Sequence, residues 1–194
     1  MPWPVLLEQV SNCRLCEQSF DHQPRPVIQA GAGAKILIIG QAPGLRVHQS
    51  GVPWDDASGD RLRSWLGVDK EAFYRPEQIA LVPMGFCYPG KGRSGDLPPP
   101  PICAQTWHQP LLDRMQNVEL TLLVGQYAQV RYLVDDHQTV TDNVARWQQF
   151  WPQQLPLPHP SPRNRRWFAN NPWFDEVVVP QLQQRVAQLL TPGG

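Results

Sequence analysis

Cys13, Cys16, Cys87 and Cys103 are the only four cysteines in this chain of 194 residues, and by type and number they suit a metal centre. The first two form a C-x-x-C pair; the other two flank a proline-rich stretch. Zinc knuckles bring two close pairs together, and the second pair here is too open for that. An iron–sulfur cluster also needs four thiolates but accepts them from separate loops. The spacing therefore suits a cubane cluster better than zinc. It leaves open a third possibility, four unrelated thiols in the core, where cysteine is common.

Three further stretches bring together groups that could act on a nucleotide. His159-Pro-Ser-Pro-Arg-Asn-Arg-Arg-Trp-Phe168 places a histidine, a hydroxyl, three arginines and two aromatics within ten residues. Ser161, Arg163, Asn164, Arg165 and Arg166 could hold phosphates, and Trp167 or Phe168 could fill the gap left by an extruded base. The plainer alternative is a solvated basic loop around a structural histidine. Gly51-Val-Pro-Trp-Asp-Asp-Ala-Ser-Gly59 offers an aromatic face in Trp54, and carboxylates in Asp55 and Asp56 to activate water or steady a cationic sugar. Taken without its neighbours, that stretch reads equally as a core tryptophan and turn aspartates. Gly40-Gln-Ala-Pro-Gly44 is a glycine-bounded turn whose backbone could approach a base or phosphate closely.

The elements that must position these groups follow from hydrophobic patterning. Lys35-Ile-Leu-Ile-Ile-Gly40 is the clearest buried strand; Ile79–Val82 and Leu120–Gly125 are two more. Leu155-Pro-Leu-Pro158 fits a short edge strand, since proline cannot donate to a ladder. Helices are expected near Met1–Asn12, in 60–66 with Ser58 as cap, from about Ala104 to Met115, from Gln126, in 141–150, and in 173–190, where Pro180 must start a new helix or kink a longer one. Cys13–Pro26 and Tyr88–Pro101 read as loops. Strands alternating with helices imply an α/β fold: one domain over residues 1–194, a three-layer sandwich with a mostly parallel four-stranded sheet between helices. Ligands in such folds sit at the carboxyl ends of the strands. That rule points to Gly40–Gly44, Pro83–Cys87, Gly125-Gln126 and His159–Asn164.

The totals are those of an ordinary globular chain, with 17 basic and 17 acidic residues and 22 prolines. Acidic residues gather at Asp55, Asp56 and Asp60 and again at Asp135 and Asp136, so a neutral total can still hide a basic face at Arg163–Arg166. No apolar run approaches a membrane span, and Met1–Val10 carries no basic leader, so a cytoplasmic protein without a membrane partner is expected. Such a compartment disfavours disulfides. His22, His48, His108 and His137 are scattered and read as surface or loop residues. Ser161 has no evident base–orienter partner, so a serine-hydrolase triad is not supported.

In combination these pieces resemble the uracil-DNA glycosylase superfamily, most closely its iron–sulfur branch, often called family 4. Gly40-Gln-Ala-Pro-Gly44 is similar to that branch's Gly-Glu-Ala-Pro-Gly, and Gly51-Val-Pro-Trp54 to its Gly-Arg-Pro-Phe, whose aromatic stacks on the base. His159-Pro-Ser-Pro162 resembles the second motif, whose histidine hydrogen-bonds the departing base. The cysteine layout also matches. The resemblance implies a DNA glycosylase of base excision repair, acting on uracil first among damaged bases. A base pocket of Gly40, Gln41, Ala42, Pro43, Trp54, Met84 and Phe86 is expected, with His159, Asp56 and Gln41 as catalytic groups. It also implies a structural 4Fe–4S cluster on the four cysteines, with zinc as alternative occupant, and DNA as partner of a monomer.

The chain departs from the family pattern in four places. Gln41 replaces a glutamate, Asp56 stands where glycine is usual, and Arg163-Asn164 follows the second motif in place of an apolar residue. The strand-end asparagine that reads uracil falls near Pro83-Met84, which lack its amide. These mark a divergent subgroup. Two other functions stay open: a non-catalytic DNA-damage binder on the same fold, and an enzyme acting on free nucleosides.

Overall fold

The computed structural model describes residues 1–133 and 138–191, so Asp135, Asp136 and His137 lie outside the described residues. Four short apolar runs build the central sheet. They are β1 (Ile36–Ile39), β2 (Ile79–Leu81), β5 (Leu120–Val124) and β6 (Gln154–Leu157), in the order β2-β1-β5-β6 with every pairing parallel. A pair β3 (Lys91–Gly92) and β4 (Gly95–Asp96) forms a separate antiparallel hairpin. Parallel neighbours require crossovers, and helices supply them.

Side chains alternate across the sheet, so each strand feeds two cores. Ile36, Ile38, Ile79, Leu81, Leu122 and Leu155 face one layer. That layer contains α3 (Ala57–Leu66) and α9 (Val179–Leu190), with α7 (Val140–Ala145) and α8 (Arg165–Asn170) also contributing. Leu37, Ile39, Ala80, Val82 and Leu123 face the other, with α1 (Trp3–Ser11), α5 (Pro101–Leu112) and α6 (Gln126–Tyr132). Two small helices, α2 (Leu45–Ser50) and α4 (Lys70–Phe73), complete the connections. The three-layer α/β expectation holds. No helix among the described residues is long and apolar enough to cross a membrane.

Several local expectations change. The cap of α3 is Asp56, not Ser58: Asp56 is extended and its side chain accepts from the Gly59 amide. Helix α5 begins at Pro101, because proline suits the first turn, where its missing N–H costs nothing. The stretch 88–101 is not all loop, since it holds the β3–β4 hairpin. Of the two roles open to Pro180, the structure takes the first: it starts a new helix and kinks none. It sits in the first turn of α9, directly after a π-helical turn over Phe174–Val178. His108 is not at the surface. It is buried on α5, stacked between Phe86 and Tyr132.

Candidate active site

A cavity of about 400 Å³ opens at the carboxyl ends of the strands. Gly40–Gly44 after β1, Pro83 after β2 and His159 after β6 contribute to its wall. Trp54 and Asp56 come from the approach to α3 and Ser58 from its first turn, and Ser161 and Arg163 from the short turn after β6. Parallel strands all end on one side, so residues distant in sequence converge there.

His159 is fixed from several sides. The Ser161 amide donates to its Nδ1 at 3.1 Å, and the Asn164 side chain donates to its carbonyl at 2.8 Å. An N–H can donate only to an unprotonated ring nitrogen, so the imidazole is the neutral form with its proton on Nε2. Burial holds its pKa below the usual histidine value, against the opposing pull of Asp56. Gly125 beside the ring has φ of 83°, which favours glycine, and a β-carbon there would meet His159 Cδ2 at an ordinary contact distance of 4.0 Å.

Trp54 meets the histidine at 6.1 Å between ring centroids. Its indole presses on Gly40, where a β-carbon would lie 2.9 Å from Cζ2. Only glycine permits that approach. Asp56 borders the cavity while one carboxylate oxygen, Oδ1, accepts from the Gly59 amide at 2.8 Å. Asp55 is not among the residues lining the cavity.

Gly40, Gln41, Ala42, Pro43, Trp54, Asp56, His159, Ser161 and Arg163 are thus brought together as the sequence suggests. Met84 and Phe86 are not. The Met84 amide binds the Gly40 carbonyl at 2.8 Å, while its side chain packs into the α1–α5 layer. Phe86, 1% exposed, stacks on His108 in that same layer. After Pro83 the chain turns away from the cavity. Asn164 acts from behind His159, and Arg165 and Arg166 are exposed on α8 outside the cavity. Trp167 is no free wedge: its indole N–H binds Thr141 Oγ1 at 2.8 Å and its ring packs edge-on against Phe168, Trp173 and Phe174.

Sequence reasoning missed the hairpin. Ser94, Gly95 and Asp96 line the cavity, and partial burial raises the Asp96 carboxyl against the pull of Arg163 and Lys91. The one signal was a carboxylate in a glycine-rich stretch, which reads as ordinary loop.

All four cysteines line a second cleft, walled by apolar groups including Leu15, Phe20 and Ile102. The Phe86 amide donates to Cys103 Sγ at 3.2 Å, the Trp107 indole to Cys13 Sγ at 3.3 Å, and the Arg25 backbone to Cys87. Burial pushes the Cys87 thiol up to about 11 and that of Cys103 to about 12. Among the described residues, no three His, Cys, Asp or Glu side chains are grouped to hold a single metal ion.

The family model of the uracil DNA glycosylase superfamily matches residues 28–183. That span begins after Cys13 and Cys16 and takes in all four central strands and every residue named around the cavity. Sequence match, sheet order and the strand-end site agree, and the chain belongs to the uracil DNA glycosylase superfamily, whose members are generally DNA glycosylase hydrolases.

Proposed function

We propose that this protein is a DNA glycosylase that extrudes a deaminated base, uracil first, into the strand-end cavity and hydrolyses its N-glycosidic bond. The observation carrying this is the tautomer of His159. With Nδ1 occupied by the Ser161 amide, Nε2–H is left to donate to a base oxygen. As the C1′–N bond breaks, electrons move onto the base, and a donor aimed at that oxygen stabilises the transition state more than the ground state. A neutral ring suffices, because the bond polarises the leaving base without protonating it.

Trp54 supplies the face on which the base stacks. Asp56, with Oδ1 engaged by the helix amide, has Oδ2 to accept from the water that attacks C1′. Its charge also opposes the positive charge developing on the sugar. Arg163 at the cavity rim, with Arg165 and Arg166 on α8, contacts phosphates.

The cysteines support placement of the chain nearest the iron–sulfur branch. Four thiols line one apolar cleft, and three of them accept from an N–H, which fits a set of cluster ligands. A 4Fe–4S cluster binds its thiolates through separate irons, so they need not converge on one point as zinc demands. Cys13, Cys16, Cys87 and Cys103 would hold it, and it would supply a cross-link, not chemistry at the base.

One observation favours a second reading. Pro83 stands at the strand end where the family's base-reading asparagine is expected, and it offers the cavity no amide. A damage-binding protein without catalysis would tolerate that. The test is an anaerobic incubation with duplexes bearing single uracil, hypoxanthine, xanthine or mismatched bases, followed by alkaline cleavage of abasic sites. A break at one lesion establishes the glycosylase and names its base. Retention of lesion DNA with no break at any lesion establishes the binder.

A further inference from the structure

We infer that Arg63, Tyr74 and Gly59 form a clamp that holds Trp54 in a left-handed backbone conformation and thereby sets the stacking wall of the pocket. The inference deepens the glycosylase reading and rests on it for its catalytic consequence. Trp54 has φ of 59°, the only positive value at a non-glycine among the described residues. A bulky residue avoids that region unless its surroundings impose it.

The surroundings here are specific. Tyr74 donates its hydroxyl proton to the Pro53 carbonyl at 2.8 Å. Arg63 donates through Nη1 to the Trp54 carbonyl at 3.2 Å and to Tyr74 Oη at 3.1 Å, and through Nη2 to Asp60 at 2.8 Å. Both carbonyls entering and leaving the strained residue are therefore pinned by one connected pair of side chains. Arg63 is 5% exposed, so its guanidinium is a buried charge whose protein partners replace water. Gly59 completes the clamp from the helix side, since a β-carbon there would fall 1.7 Å from the Trp54 carbonyl oxygen.

The consequence is positional. The alternation of an extended chain would send the side chain of residue 54 elsewhere; the left-handed turn swings the indole against Gly40 and toward His159. None of the three clamp residues needs to touch the base. They are positioning residues for the group that does.

The test replaces Tyr74 by Phe, which keeps the ring and removes the hydroxyl, and Arg63 by Lys, in protein labelled with 5-fluorotryptophan. Fluorine NMR then reports on eight tryptophans, and Trp54→Phe identifies the signal of interest. In Tyr74→Phe the Trp54 signal is expected to shift or broaden while signals from the tryptophans of α1 and α5 stay in place. On lesion DNA, kcat should fall about tenfold with KM changed less than about twofold, since a displaced stacking wall misaligns the extruded base. An unchanged Trp54 signal in Tyr74→Phe overturns the clamp, whether or not Arg63→Lys folds. A shifted signal with unchanged kcat overturns its catalytic role. If the unmodified protein cleaves no lesion, the glycosylase reading fails while the fluorine signal still decides the clamp.

Discussion

The His159 ring combines two requirements that conflict in water: a histidine that stays neutral, and one with a fixed proton. The Ser161 amide selects the Nε2 tautomer, and burial keeps the second proton off. His159→Ala should lower single-turnover cleavage by about 10²–10³-fold, the cost of one lost donor at a developing charge, while lesion-DNA affinity stays near that of the parent. The pH profile follows from the same shift. The active neutral form persists through the ordinary histidine range, so activity should be level there. It should fall only as pH drops through the lowered His159 value, and this acid limb should vanish in His159→Asn. Gly40→Ala tests the Trp54 contact: a methyl 2.9 Å from the indole must displace it, so base stacking and cleavage should both weaken.

At the scale of elements, Asp56 does two things that an alanine substitution removes together. It caps α3 and it lines the cavity. Asp56→Ala should destabilise the protein by about 1 kcal/mol in urea denaturation, the usual cost of a lost cap. Asp56→Asn keeps the cap, so its stability should be close to the parent while cleavage falls through the lost charge. His108 on α5 gives a second element-scale prediction. It hydrogen-bonds the Pro83 carbonyl at 2.8 Å, and burial lowers its pKa to about 4. The unfolded chain takes up that proton first, at about pH 6.5. Stability is therefore full above that pH and declines as pH falls toward 4, by roughly 3 kcal/mol from this group. Urea midpoints at neutral and mildly acid pH should diverge, and the divergence should shrink in His108→Gln.

Across the whole molecule the two sites are linked through one segment. Pro83 lines the cavity, while Phe86 and Cys87 line the cysteine cleft four residues away at most. Cys103 and His108, both on α5, hold that segment through the Phe86 amide and the Pro83 carbonyl. Protein purified anaerobically should carry about four irons per chain if the cubane is present. Cys13→Ala should lose iron and visible absorbance and loosen the segment before β1, measured as faster proteolysis there. Iron retained in Cys13→Ala would remove that thiol from the ligand set.

Much of this architecture was legible as pattern. The runs at Ile36–Ile39, Ile79–Leu81 and Leu120–Val124 read as buried strands, and their alternation with helices implied a mostly parallel sheet with ligands at its carboxyl ends. The Gly40, Trp54 and His159 motifs were visible because their residue types carry the chemistry. Met84 and Phe86 were misplaced because strand direction says where a loop begins, not which way its side chains turn after it. The hairpin carrying Asp96 gave no periodic signal, and its approach to the cavity depends on contacts between segments far apart in the chain. The Trp54 backbone is the sharpest case. Within Gly51–Gly59 only Gly59 belongs to the clamp, by admitting the Trp54 carbonyl; Arg63 and Tyr74 impose the left-handed tryptophan through hydrogen bonds from α3 and the turn after α4. Local composition sets which elements form and which groups can react, whereas the direction each group faces is settled by packing between elements, where the competing conformations differ by only a few hydrogen bonds.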